Sequence, residues 1–109
     1  MLLVDMRKEL VKGLTNIFRN NISMIILYGS AARNEATDES DIDIAIILKK
    51  QVDHETKQQF FRWVADLDMR YDRVFSIVDI QEENMEKWGS VLPFYQNVRK
   101  EGIVLWKTA

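Results

Sequence analysis

Apolar residues at Leu3, Leu10, Val11, Leu14, Ile17 and Phe18 recur mostly three or four positions apart, the mark of a helix with one face on a core. Asn20 and Asn21 follow as expected terminators, because asparagine tolerates a left-handed conformation at a helix end. The period then changes. Met24-Ile25-Ile26-Leu27-Tyr28 is a short apolar run stopped by Gly29-Ser30, which reads as a buried strand. One or two helical turns are expected over Ala31 to Ala36, then an acidic loop from Thr37 to Ser40. Ile42 and Ile44 to Leu48 form a second buried strand, closed by Lys49-Lys50. Asp53 suits the N-cap of a helix running to about Tyr71, with Phe60, Val64, Leu67 and Tyr71 facing the core and Phe61 and Trp63 on the flanks. Arg73 to Ile80 (RVFSIVDI) predicts a third strand. Two short helices follow, Glu82 to Trp88 and Val91 to Lys100, with Pro93 allowed near the start of the second. Gly102 ends that helix, and Ile103 to Trp106 is a last strand.

Helices alternating with strands give a sheet with helices packed on it. The connection from the first strand to the second is only about a dozen residues with a small helix, which permits an antiparallel pair as readily as a right-handed crossover. The expectation is an α/β (α+β) fold with a mixed sheet of about four strands, in a single domain over residues 1–109. With 15 Lys and Arg against 17 Asp and Glu, the net charge is -2. That argues against direct nucleic-acid binding, which rests on phosphate neutralisation. There is no cysteine, so disulfides, thiolate nucleophiles and Cys-based zinc sites are excluded. The stretch MLLVDMRKEL mixes acid and base without an apolar core of signal-peptide length, and no apolar run reaches a membrane span. A cytoplasmic protein without membrane contact is expected. Three Trp and five Phe are many for so small a core, so a homodimer or a partner complex is expected, with Phe61, Trp63 and Trp88 the exposed candidates.

The chemistry concentrates in one stretch. A strand runs into Gly29-Ser30, where glycine lets the backbone turn and approach a ligand closely and Ser30 and the following amides can cradle phosphate. Asp41 and Asp43 are one residue apart, so in a strand both carboxylates point to one side. Such a pair suits Mg²⁺, which binds one or two carboxylates together with substrate phosphates.

Gly-Ser, ten residues (31 to 40), then Asp-x-Asp resembles the motif of the DNA polymerase β-type nucleotidyltransferases. Four such fixed positions arise by chance in about 1 in 500 chains of this size. The length, and the tail from Pro93 to Ile103 (PFYQNVRKEGI), resemble the minimal nucleotidyltransferases (MNT), which often accompany HEPN-type helical proteins in toxin–antitoxin pairs. The resemblance implies that Gly29, Ser30 and the neighbouring amides hold triphosphate oxygens, and that Asp41 and Asp43 are the catalytic carboxylates and hold divalent metal, Mg²⁺, at a one- or two-metal site. Arg33 stands where the family has arginine, either touching phosphate or pairing with an acid of the loop. Asn34 stands where many relatives have glycine.

The family's third acid falls on Ser76. Asp79 lies three residues later, on the opposite face of an ideal strand, and Asp68 and Asp72 read as helix-end surface charges. His54 reads as an exposed residue at a helix start, Glu35, Asp38 and Glu39 as a solvated acidic loop, and Glu82, Glu83 and Glu86 as a solvated helix face. Trp63, Trp88, Phe94 and Trp106 read as core or interface, since no basic stripe accompanies them.

Two functions follow from this resemblance. One is a Mg²⁺-dependent enzyme moving NMP, with AMP from ATP expected, to a hydroxyl on a HEPN-type partner. The other is a weak or inactive module that sequesters such a partner. Small-molecule nucleotidylation would need a substrate domain beyond this one.

Overall fold

In the computed structural model the first helix, α1 (Val4–Phe18), buries Met6, Leu10, Leu14 and Phe18, each four residues from the last and so in a single stripe. Residues 4–33, 35, 37 and 40–108 are described; the expectations for Leu3, Asn34, Ala36, Asp38 and Glu39 lie outside them. A 3₁₀ turn, Arg19–Asn21, closes α1. The left-handed residue there is Arg19, at φ 52°, and not an asparagine. Asn21 instead clips two strand ends together: its amide donates to the Lys50 carbonyl at 3.0 Å and accepts from the Lys50 N–H at 2.8 Å.

The remaining elements are β1 (Ile22–Tyr28), α2 (Gly29–Ala32), β2 (Ile42–Leu48), α3 (His54–Tyr71), β3 (Phe75–Gln81), α4 (Glu82–Trp88), α5 (Pro93–Glu101) and β4 (Ile103–Lys107). The sheet has the order β3-β2-β1-β4. β1 runs antiparallel to both β2 and β4, while β2 and β3 are parallel. The expected mixed, four-stranded α+β architecture is therefore present.

β2 is covered on both faces, and this explains its nearly continuous apolar sequence. Ile42, Ile44, Ile46 and Leu48 enter a core with α1 and α3, formed with Leu10, Leu14, Phe60 and Leu67. Ala45 and Ile47 enter a second, smaller core with Val98 of α5 and Met85 of α4. Asp43 has the parity of Ala45 and Ile47, so it is the one polar side chain of β2 and belongs to the α4–α5 face.

α3 begins where Asp53 accepts the Thr56 N–H at 2.7 Å and ends at Asp72, which is left-handed at φ 50°. Asp68 is no mere surface charge: its carboxylate accepts the Phe75 N–H at 2.8 Å and fixes the start of β3. Trp63 is partly buried, with its indole over Gly13, where a Cβ would meet ring carbon Cζ2 at 2.3 Å. Gly102 is extended (φ -68°, ψ 140°) and not left-handed. Glycine is needed there for room, since a Cβ would lie 2.4 Å from Ile26 Cγ2 and 2.2 Å from the Val98 carbonyl oxygen.

Candidate functional site

Gly29 and Asp43, two of the residues singled out in the sequence, meet where β1 turns into α2. Tyr28, the last residue of β1, is paired across the sheet with Asp43. The chain then reverses through Gly29 at φ 71°, a conformation that side chains with a Cβ rarely adopt. A Cβ at Gly29 would sit 2.4 Å from Asp43 Oδ2. The missing side chain is therefore the space that the carboxylate occupies. Ser30 is half-buried in the single turn of α2 and its carbonyl accepts the Glu35 N–H at 2.8 Å. Asp41 is exposed immediately before β2, and the Ile42 N–H donates to the Val74 carbonyl at 2.8 Å, which fixes the base of the Asp-x-Asp segment.

Charge is concentrated at this point. The Asp43 carboxyl is raised above its ordinary 3.8, first by burial and then by the neighbouring charge of Asp41, with Arg33 acting in the opposite direction. The Tyr28 phenol is raised as well, by burial and then by Asp43. A carboxylate whose ionisation is disfavoured by burial and by a neighbouring carboxylate invites a cation. Among the described residues no cluster of three or more His, Cys, Asp or Glu is arranged to hold a metal. The donor set fits Mg²⁺ shared with a polyphosphate, since that ion keeps waters and needs only one or two carboxylates from the protein.

Arg33 is held in ion pairs. Its guanidinium donates to Glu101 of α5 at 3.0 Å and lies 3.5 Å from Glu35, and the hydrogen bond to Glu101 is the first cause of its raised pKa. It thereby ties the helical turn after Gly29 to the end of α5. The parallel register sets Ser76 beside Asp43, so the position of a third acid is occupied by a hydroxyl. Asp79 pairs with Ile46 and is exposed on the opposite side of β3. His54 is exposed at the first position of α3. Sequence reasoning missed Arg73, whose guanidinium donates to the carbonyls of Ser40 at 2.9 Å and Thr37 at 3.3 Å and braces the segment leading into Asp41. A lone arginine before a strand gives no signal of such a contact.

Three comparisons bear on this arrangement. Residues 12–109 match the family model described as polymerase beta, nucleotidyltransferase. Two Methanocaldococcus jannaschii proteins, both provisionally named as protein adenylyltransferases, are similar in sequence. One is 38% identical over 106 residues, covering 91% of this chain and 93% of its own; the other is 29% identical over 76 residues, 70% of this chain and 77% of its own. In fold, the chain is similar to one in the crystal structure of a toxin–antitoxin complex with AMP-PNP (TM-score 0.67, 22% identity, covering 94% of this chain and 73% of that one). It is also similar to one in the complex of a tri-AMPylated Shewanella oneidensis HEPN toxin with an MNT antitoxin (TM-score 0.60, 22% identity, 94% and 70% covered). With the match spanning nearly the whole sequence, the chain belongs to the polymerase β-type nucleotidyltransferase family.

Proposed function

We propose that this chain is a minimal nucleotidyltransferase that transfers a nucleoside monophosphate, AMP from ATP, to a hydroxyl on a helical partner protein of the HEPN type. The observation that carries this reading is the packing of the Asp43 carboxylate into the space left by Gly29, beside Asp41. The names of the sequence relatives and the fold neighbours support the choice of transferred group and partner.

On this reading Ser30 and the backbone after Gly29 hold the phosphate oxygens of the triphosphate. Asp41 and Asp43 would hold Mg²⁺ jointly with those oxygens. The bound ion would neutralise charge on the phosphates. The protein's own contribution is positioning and fixed electrostatics. The acceptor oxygen bonds to the α-phosphorus, the bond from that phosphorus to the bridging oxygen breaks, and pyrophosphate leaves. With Ser76 beside Asp43, the proton of the acceptor hydroxyl goes to water or to a base on the acceptor's side.

The same Ser76 favours a second reading, in which the chain sequesters its partner and transfers slowly or not at all. One experiment separates the two: incubation of α-labelled ATP and Mg²⁺ with the co-expressed partner. Label on the partner that is lost with Asp41→Asn and with Asp43→Asn supports transfer. Tight association without label, for any triphosphate, supports sequestration. Ser76→Asp is expected to raise a feeble activity and Asp79→Asn to leave it little changed.

A further inference from the structure

Against Tyr28, the neighbour of Asp43 across the sheet, stands an aromatic ring that the fold holds in place without covering. Phe94, the second residue of α5, is 42% exposed. Its ring makes a T-shaped contact with Tyr28 (centroids 5.7 Å apart, planes at 86°) and another with Tyr95 (5.4 Å, 76°). Both tyrosines pack against the smaller core, so the ring is anchored from beneath. Tyr28 is also the residue that precedes Gly29 and faces Asp43 across the sheet. The chain therefore sets a fixed apolar ring one side-chain contact away from the Gly-Ser turn, on the face that carries Asp43.

The other large aromatics do not share this position. Trp63 and Trp106 pack against the larger core on the opposite face. Phe61 is exposed on α3 but contacts Phe60 of that same core, and Trp88 is engaged by Lys87, whose ammonium lies 5.1 Å from its ring. Phe94 has no polar atom, so what covers it is recognised by its flat surface. An aromatic face beside a phosphate-binding turn suits a nucleobase, which stacks on aromatic side chains whatever its hydrogen-bonding edge.

We propose that Phe94, braced by Tyr28 and Tyr95, is the platform on which the base of the nucleoside triphosphate stacks. This inference rests on the triphosphate-binding reading above, so its test carries an arm for each. Binding to the full chain is measured in Mg²⁺ for ATP and for inorganic tripolyphosphate, which has no base. Wild type is expected to bind both, ATP more tightly. Phe94→Ala is expected to weaken ATP binding about five-fold or more, the range of a lost base–aromatic stack, and to leave tripolyphosphate binding unchanged. Phe94→Leu should lose nearly as much as alanine and Phe94→Tyr little, while circular dichroism confirms that each variant is folded. Phe94→Trp gives an independent readout, with its added fluorescence quenched by ATP and not by tripolyphosphate. Unchanged ATP binding in Phe94→Ala, or an equal loss for both ligands, overturns the platform alone. So does loss of partner capture with ATP binding intact, which would make the ring part of the partner's seat. Failure of wild type to bind either ligand overturns the triphosphate reading, and the platform with it.

Discussion

At Gly29 two requirements coincide, and either alone would select glycine. The backbone is left-handed at φ 71°, and a Cβ would fall 2.4 Å from Asp43 Oδ2. Gly29→Ala is therefore expected to cost about 1–2 kcal/mol from the conformation alone, and to push Asp43 from its place. Thermal unfolding reports the first effect and Mg²⁺–ATP binding the second; a variant that melts lower yet binds as wild type would separate the turn from the site. Asp43 itself carries the opposite sign from most carboxylates. Its folded pKa lies above 3.8 because of burial and Asp41, so the folded state holds its proton more tightly than the unfolded chain. Its contribution to stability is favourable below 3.8 and is lost as pH rises through the raised value. Asp43→Asn is expected to melt higher than wild type at neutral pH without Mg²⁺, with the gap closing in acid, and to lose the stabilisation that Mg²⁺–ATP gives wild type. A variant melting lower than wild type at neutral pH would mean that the carboxylate contributes to the fold. The Gly-Ser turn and the Asp-x-Asp pair were legible because family chemistry fixes their spacing. The fate of Arg33 was not, since Glu101, its stronger partner, is 68 residues away.

Elements were legible where periodicity and caps act locally. The N-cap of α3 is an example: Asp53 and Thr56 are three residues apart and meet through hydrogen bonding. Hydrogen bonding from the Thr56 side chain, then from its amide, lowers the Asp53 pKa. Its contribution is thus present above the usual 3.8 and lost as pH falls through the lowered value. Asp53→Ala is expected to melt below wild type at neutral pH, the two curves converging in strong acid; a gap that persists there would point to packing instead of the cap. The features that escaped sequence reading depend on tertiary neighbours. Asp68 reaches the backbone of Phe75, and Gly13 is needed only because Trp63 crosses α1. In an isolated helix Gly13→Ala would gain about 1 kcal/mol. Here the added methyl would lie 2.3 Å from the indole, and overpacking of this kind costs about 1–3 kcal/mol. The expected result is a lower melting temperature with a red-shifted tryptophan emission, whereas a stabilised variant would show that Trp63 swings aside freely.

Over the whole molecule, the Cα radius of gyration of 13.4 Å is close to the roughly 13 Å of a compact domain this size. No helix is long and apolar enough to cross a membrane among the described residues. The sequence pointed to an excess of large apolar side chains but not to where they surface. Trp63 turns inward over Gly13, while the end of α4 and the segment linking it to α5 expose Trp88 at 36%, Val91 at 60% and Leu92 at 40%, next to Phe94. Apolar side chains gathered at one turn mark a contact surface more than scattered ones do. This turn leads into Phe94, whose ring packs on Tyr28, the neighbour of Asp43 across the sheet, so on the transferase reading we propose it as the seat of the helical partner. Leu92 and Val91 belong to neither buried core, so a charge at either should change stability by no more than about 0.5 kcal/mol. Val91→Glu and Leu92→Glu are each expected to leave the melting temperature and Mg²⁺–ATP binding at wild-type levels while reducing co-purification of the partner and transfer of label to it. Undiminished association with both variants would move the partner to another surface, with the exposed Phe61 and Met69 of α3 the next to be charged.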